Sequence, residues 1–253
     1  MSVQTVEFRI LRSKPGRIDP PEFQIFPVTA GSTTTVLDGL EEIRLTQDPT
    51  LIYRHCCHHA SCGTCACTIN GTPALACTTR IADLQTDPIT LTPLAHLPCL
   101  GDLAVDMRPF FKEIDPDWTH IRQCENTNGD RIPQGVEKLV RLENCIECGC
   151  CAAACPVMSE SEAFMGPAVL AAVSNEIRNR EIRKRPSQKE ALLQKAADPR
   201  GAAMCRRHLA CSRVCPSQVY PARHIADLQR RITGRGDHEP DPRAKDPDGD
   251  DTL

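Results

Sequence analysis

"CIECGCCAAACP", residues 145–156, sets Cys145, Cys148, Cys151 and Cys155 at the spacing C-x2-C-x2-C-x3-C and follows the last with Pro156. Thiolates this close along a turning chain can converge on one multi-iron centre, and this run is a known spacing for such ligation. A second stretch, "MCRRHLACSRVCP" (204–216), keeps the frame with one change. Cys205, Cys211, Cys215 and Pro216 stand where expected, but His208 replaces the second cysteine. In paired runs the fourth cysteine of each crosses to the other centre. That rule assigns Cys145, Cys148, Cys151 and Cys215 to one centre, and Cys155, Cys205 and Cys211 to the other. Four thiolates suit [4Fe–4S]; three suit [3Fe–4S]. His208 has three readings: a nitrogen ligand to a fourth iron, a neighbour of the cluster that donates a hydrogen bond or faces a small molecule, or an incidental helix residue.

Upstream, "YRHCCHHASCGTCACTINGTPALAC" (53–77) contains Cys57-x4-Cys62-x2-Cys65-x11-Cys77. This is the plant-type [2Fe–2S] spacing, with two soft anionic ligands for each iron. Structural zinc on the same four cysteines is the plain alternative, but the x4 gap and the return through a hairpin fit the iron–sulfur loop better. Gly63 inside the loop lets backbone N–H groups approach the sulfurs. A site with two histidine ligands fails, because the only companion histidines are His59 itself or the distant His208. His55, His58 and His59 are read as solvent-facing. Cys56 and Cys67 are left over, and Cys56 reads as a packed or hydrogen-bonding thiol. Cys150 reads as packing; Cys99 and Cys124 read as structural thiols.

The chain has 253 residues and sixteen cysteines. A disulfide framework is set aside: the cysteines cluster too closely, and "MSVQTVEFRILRSK" alternates and is charged, unlike a secretory leader. Aromatics are 4% with one tryptophan, Trp118, so large side chains contribute little core. A net charge of −3 argues against a nucleic-acid partner. The longest apolar run, "PAVLAAV" (167–173), is far short of the roughly 20 residues needed to cross a bilayer.

The first hundred residues read as α+β of ββαββ type. Val6, Phe8 and Ile10 alternate, "SKPGRIDPP" reads as a loop, and "EFQIFPV" completes a hairpin. Thr35 and Asp38 start a helix whose Val36, Leu40 and Ile43 share a face. Asn70-Gly71 is a hairpin turn, and "PITLTPL" and "DLAVDM" are further strands. From Met107 the pattern is helical: "VEKLVRL", "GPAVLAAVSNEIRNREIRKR" with a basic run from Arg178 to Arg185, "SQKEALLQKAA" with Ser187 and Glu190 as a capping box, and "PARHIADLQRRI". The expected division is 1–106, 107–235 and an acidic tail, 236–253, without enough apolar residues to order itself. No G-x-S-x-G, H-E-x-x-H, Walker loop or G-x-G-x-x-G competes with a redox reading, so any flavin or nicotinamide chemistry belongs to a partner.

From about Val3 to Arg231 the chain resembles the iron–sulfur subunit of the succinate dehydrogenase and fumarate reductase family. The likeness rests on the Cys57/Cys62/Cys65/Cys77 loop, "DLAVDM", "CIECGCCAAACP", "FMGPAVLAA" and the Cys205–Pro216 run. The resemblance implies a β-grasp plant-type ferredoxin domain followed by an α-helical ferredoxin domain. It implies an electron-transfer subunit of succinate dehydrogenase (succinate:quinone oxidoreductase) or fumarate reductase that does not itself bind the dicarboxylate. Electrons would pass from FAD in a flavoprotein subunit through [2Fe–2S], [4Fe–4S] and [3Fe–4S] to a quinone, menaquinone or ubiquinone. The quinone would sit at a membrane-anchor subunit that can carry haem, on the cytoplasmic face of the membrane. A related thiol-dependent fumarate reductase or heterodisulfide-type complex is the second reading; it needs CCG-type modules, which this chain lacks and a partner would have to supply.

Two departures bear on the quinone end. "CPVMSESEAF" (155–164) has no tryptophan where ubiquinone-reducing relatives commonly carry it, and Arg206 rather than histidine follows Cys205. A menaquinone-type pocket, or an anchor of a different kind, fits the missing tryptophans. Pro156, Arg206 and His208 are the candidates for its lining.

Overall fold

The computed structural model describes residues 3–14, 17–114, 145–178 and 185–234. Alternation builds the first strand: β1 (Gln4–Lys14) turns Val6, Phe8 and Ile10 inward, all buried. β2 (Ile18–Ala30) pairs with it antiparallel from Gln4↔Ala30 to Lys14↔Ile18. The turn between them is tighter than "SKPGRIDPP" suggested, since Ser13 and Lys14 belong to β1 and Ile18 to Pro21 to β2. Prolines are tolerated there because β2 is an edge strand, where a missing N–H need not break a ladder.

α1 (Val36–Thr46) opens on a capping box: Thr35 Oγ1 accepts from the Asp38 N–H, and Asp38 Oδ2 accepts from the Thr35 N–H. Its Val36, Leu37, Leu40 and Ile43 are buried on the sheet. Gly39 lets the helix approach closely; a Cβ there would stand 2.7 Å from the Phe8 ring. β3 (Ala66–Ile69) and β4 (Thr72–Leu75) are joined by Asn70 and Gly71, both with positive φ (48° and 78°), as a tight hairpin demands. After α2 (Ile81–Leu84), β5 (Ile89–Thr92) enters between β1, to which it is parallel, and β3, giving the sheet order β2-β1-β5-β3-β4. "DLAVDM" contributes only β7 (Ala104–Val105), paired with β6 (Cys99–Gly101), a strand the sequence pattern did not reveal.

Asp102, in the β6–β7 turn and fully buried, ties this region together. Its Oδ1 accepts from the Ser13 N–H (2.9 Å) and its Oδ2 from the Ile52 N–H (2.8 Å). Arg12 Nε lies 3.1 Å from Asp102 Oδ1, while Arg12 Nη1 reaches Asp48 Oδ2 at 2.6 Å and Gln24 Oε1 at 2.8 Å. Burial opposes the Arg12 charge, but Asp48 and Asp102 outweigh it and hold its pKa above the ordinary value.

The remainder is helical: α3 (Arg108–Phe111), α4 (Cys150–Ala153), α5 (Pro156–Glu160), α6 (Pro167–Arg178), α7 (Pro186–Ala197), a 3-10 turn (Ala202–Met204), α8 (Ala210–Arg213) and α9 (Pro221–Ile232). α6, α7 and α9 pack around Val169, Leu170, Val173, Leu192, Ile225 and Leu228. Ser187 does not cap α7. Pro186 already occupies the first helical turn, where its fixed φ is preorganised, so the cap position falls on Arg185 and no side chain caps it. "VEKLVRL", residues 179–184 of the basic run, Cys124 and the 236–253 tail lie outside the described residues. The two halves share a core: Cys150 and Ala153 are buried among the N-terminal apolar residues, with Ile146, Cys148 and Val214 packed against them. Among the described residues no helix is long and apolar enough to cross a membrane.

Candidate metal centres

The 57–77 loop folds around its sulfurs. His58 and Ala60 take left-handed φ values of 61° and 60°, and this alternation turns successive N–H groups inward. The amides of His59 (3.5 Å), Ser61 (3.2 Å) and Cys62 (3.3 Å) all donate to Cys57 Sγ, and that of Ala60 donates to Cys77 Sγ (3.4 Å). Donation from the His59 amide, then from those of Cys62 and Ser61, brings the Cys57 thiol down to about 7. Cys65 meets both Cys77 and Cys62, and burial pushes its thiol up to about 12. The four cysteines thus neighbour one another within one loop, with N–H dipoles aimed at the sulfurs of Cys57 and Cys77. That arrangement fits an anionic thiolate centre.

His55, His58 and His59 are exposed, as expected, yet two of them join a hydrogen-bonded chain. Arg44 Nε donates to Tyr53 Oη (3.0 Å), Tyr53 donates to Glu41 Oε1 (2.7 Å), and Glu41 meets His55 Nε2 at 3.3 Å. His55 Nδ1 then meets His58 Nε2 at 3.0 Å. Burial and Glu41 push the Tyr53 hydroxyl up to about 12. His59 Nδ1 contacts the Cys57 carbonyl. Of the two readings of Cys56, packed or hydrogen-bonding, the first is corrected: Cys56 is exposed, whereas its neighbour Cys57 is half-buried with its sulfur accepting three loop amides. Cys67 is buried in β3. Cys99 is exposed, and its thiol stands 3.6 Å from the Asp102 carbonyl.

In the helical half, Cys145, Cys148, Cys151 and Cys215 wall one small cavity, together with Ile146, Gly149 and Val219. Burial pushes the Cys145 thiol up to about 11, with Cys148 and Cys215 adding to it. Cys151 is raised by burial and then by Cys148, Cys145, Cys211 and Cys215. Cys148 goes the other way: the thiol of Cys150 donates to it and holds it below the usual value. Cys150 itself is fully buried beside it. The Val219 N–H donates to Cys215 Sγ at 3.3 Å. Four soft donors around one cavity suit a cubane.

Cys155, Cys205 and Cys211 form the third group. Burial pushes Cys211 up to about 11, with the fields of Cys155 and Cys205 adding to it. Burial also raises Cys155 against the pull of the Met158 and Val157 amides. The field of Cys211 reaches Cys151, so the second and third groups are neighbours. Among the described residues no three His, Cys, Asp or Glu side chains are gathered tightly enough for a single metal ion.

Pro156 opens α5 and is half-buried, whereas Arg206 and His208 are exposed on the segment before α8. Arg206 Nη1 is held by Glu160 Oε2 at 2.6 Å, and the His208 carbonyl accepts from Arg213 Nη1 (3.1 Å). Leu209, 48% exposed and left-handed (φ 62°), projects beside them. Sequence reasoning missed the contact that joins the two halves. Gly63 (φ +69°) packs so closely on the second loop that a Cβ would lie 2.7 Å from the Ile146 carbonyl and 2.8 Å from Cys148 Cβ. The lone glycine between Cys62 and Cys65 was the available signal.

Residues 7–112 match the 2Fe-2S iron-sulfur cluster binding domain family, and residues 141–219 match the 4Fe-4S dicluster domain family. The chain is 32% identical over 221 residues to the fumarate reductase iron-sulfur subunit of Wolinella succinogenes, covering 85% of this chain and 91% of that protein. It is 31% identical over 227 residues to the subunit of the same name from Escherichia coli O6:H1, covering 88% and 91%. Its fold is similar to a chain of the Mycobacterium smegmatis Sdh1 complex in the apo form, with a TM-score of 0.74 at 22% identity over 92% of this chain and 98% of that one. The chain therefore belongs to the family of succinate dehydrogenase and fumarate reductase iron–sulfur subunits, and is part of an oxidoreductase complex.

Proposed function

We propose that this chain carries electrons between FAD in a flavoprotein subunit and a quinone held at a membrane-anchor subunit. The observation that carries this reading is the succession of three neighbouring thiol groups: Gly63 of the first loop lies against Ile146 and Cys148 of the second, and Cys151 of the second lies within the field of Cys211 of the third. The assigned ligands are Cys57, Cys62, Cys65 and Cys77 for [2Fe–2S], Cys145, Cys148, Cys151 and Cys215 for [4Fe–4S], and Cys155, Cys205 and Cys211 for [3Fe–4S]. Clusters bound there supply one-electron steps between a two-electron flavin and a two-electron quinone. The chain's own part is to hold the sulfurs, direct N–H groups at them and keep the centres close.

The order β2-β1-β5-β3-β4, crossed by α1, supports the β-grasp reading of residues 1–106. Residues 107–235 are assigned to the α-helical ferredoxin domain. Pro156, Arg206 and His208 face the quinone, and the absence of tryptophan after Pro156 favours a menaquinone-type pocket. The chain sits peripherally on the cytoplasmic face of the membrane, held there by the anchor subunit.

Low-temperature EPR of the air-oxidised complex tests the assignment. Oxidised [3Fe–4S] is paramagnetic, whereas oxidised [4Fe–4S] and [2Fe–2S] are silent. A near-isotropic signal is expected. Silence, with two cubanes appearing on reduction, would mean that His208 completes a fourth iron site. His208→Ala separates the quinone role: unchanged quinone kinetics and spectra remove His208 from that pocket.

A further inference from the structure

His224 lies in the first turn of α9 and is only 4% exposed, although no ligand spacing calls for a histidine there. Its Nδ1 is 3.2 Å from the hydroxyl of Ser174 on α6, which is equally buried. The Val219 backbone carbonyl also lies against the ring, in the position of an acceptor. A neutral imidazole has one acceptor and one donor nitrogen, and these two contacts use both. Val219 is buried and lines the cavity walled by the second group of thiols. Its N–H is the one that donates to Cys215 Sγ. The flanking residues, Gln218 (φ 52°) and Tyr220 (φ 55°), are both left-handed, a conformation uncommon for residues with a Cβ. The turn that aims this N–H at sulfur thus runs against local preference and needs an outside hold.

We propose that His224, anchored by Ser174, is a positioning residue that holds the Val219 carbonyl and so fixes the backbone on which the Val219 N–H, one peptide group earlier, points at Cys215 Sγ, and in this way sets the reduction potential of the centre that Cys215 binds. The inference rests on the assignment of Cys215 to the [4Fe–4S] centre. An N–H directed at a cluster sulfur favours the reduced, more negative state over the oxidised one, so bending it away lowers the potential. Burial holds the imidazole pKa down at about 4. The residue is therefore neutral at physiological pH and contributes orientation, not charge.

Redox titration of the assembled complex, followed by EPR, tests this with three variants. His224→Phe keeps a planar ring but no nitrogen. It shifts the [4Fe–4S] equilibrium about tenfold towards the oxidised form, about 59 mV for one electron, and leaves the other two potentials in place. His224→Gln, with a donor and an acceptor, restores most of the difference. Ser174→Ala shifts the potential in the same direction by less. An unmoved potential in both His224→Phe and Ser174→Ala, with the cubane intact, overturns the proposal. If His224→Phe loses its cubane, Ser174→Ala, which removes one hydroxyl, decides by the same reading. A wild-type complex with no [4Fe–4S] signal on reduction, or one whose signal survives Cys215→Ser unchanged, defeats the ligand assignment beneath the proposal instead.

Discussion

Gly63 and Cys148 meet across the boundary between the two halves: a methyl group on Gly63 would lie 2.8 Å from Cys148 Cβ. The loop that gathers the first thiol group therefore rests directly on a candidate ligand of the second. Glycine is required here twice, because φ is +69° and because there is no room.

Gly63→Ala is expected to destabilise the chain by about 2–3 kcal/mol through overpacking and strain. It also widens the gap between the first two centres. Thermal unfolding and the rate of electron passage from [2Fe–2S] to [4Fe–4S] both report it. A variant that melts with the wild type and transfers at its rate would show that the contact is dispensable.

The Arg12–Asp102 pair is wholly buried, and Asp102 also accepts two backbone N–H bonds. Asp102→Ala leaves a buried guanidinium short of one partner and two amides without acceptors, at a cost of about 3–5 kcal/mol. Denaturant titration measures it. A loss under about 1 kcal/mol would place this network among weak surface pairs.

Cys148 and Cys150 sit side by side, and only Cys148 has ligand spacing. Cys148→Ser is expected to abolish the [4Fe–4S] EPR signal on reduction. Cys150→Ser keeps that signal and costs about 1–3 kcal/mol for a buried hydroxyl. Reversed outcomes would exchange the two assignments.

Removal of iron by chelation should unravel the helical half first. Its smaller apolar clusters include candidate ligands among their packed members, Cys155 and Cys205 with α6 and α9, and Cys145 and Cys215 with Ala171 and Val219. The N-terminal core instead has the full β1–β5 sheet behind it. Circular dichroism is expected to lose helix while strand signal persists. Full retention of helix in the iron-free chain would count against this.

His224 gives stability a pH dependence of definite sign. Its folded pKa, about 4, lies below the ordinary 6.5, because of burial and then Arg178, with Arg223 in the same sense and Asp227 opposing. Between those values the unfolded chain binds a proton that the folded chain does not, so stability is full above about pH 6.5 and falls towards pH 4. The total loss is about 3 kcal/mol. Unfolding midpoints of the complex at pH 5 and pH 7.5 should diverge in the wild type and draw together in His224→Phe. Parallel profiles would assign the acid sensitivity to other groups.

The features legible in the sequence are those that the chain settles over a few residues. The Thr35–Asp38 capping box, the Asn70-Gly71 turn and the alternation of Val6, Phe8 and Ile10 each depend on local backbone geometry. Cysteine spacing belongs with them, because a short loop constrains where its thiols can point. The capping box at Ser187 failed for an equally local reason, the proline one residue earlier. What only the tertiary structure decided is which distant segments meet. The seat of Gly63 on Cys148, the burial of Arg12 between Asp48 and Asp102, and the reach of His224 to Ser174 and Val219 join residues from separate elements. Packing and the desolvation of charge act on assembled surfaces, and no periodicity along one strand or helix encodes the partner on another.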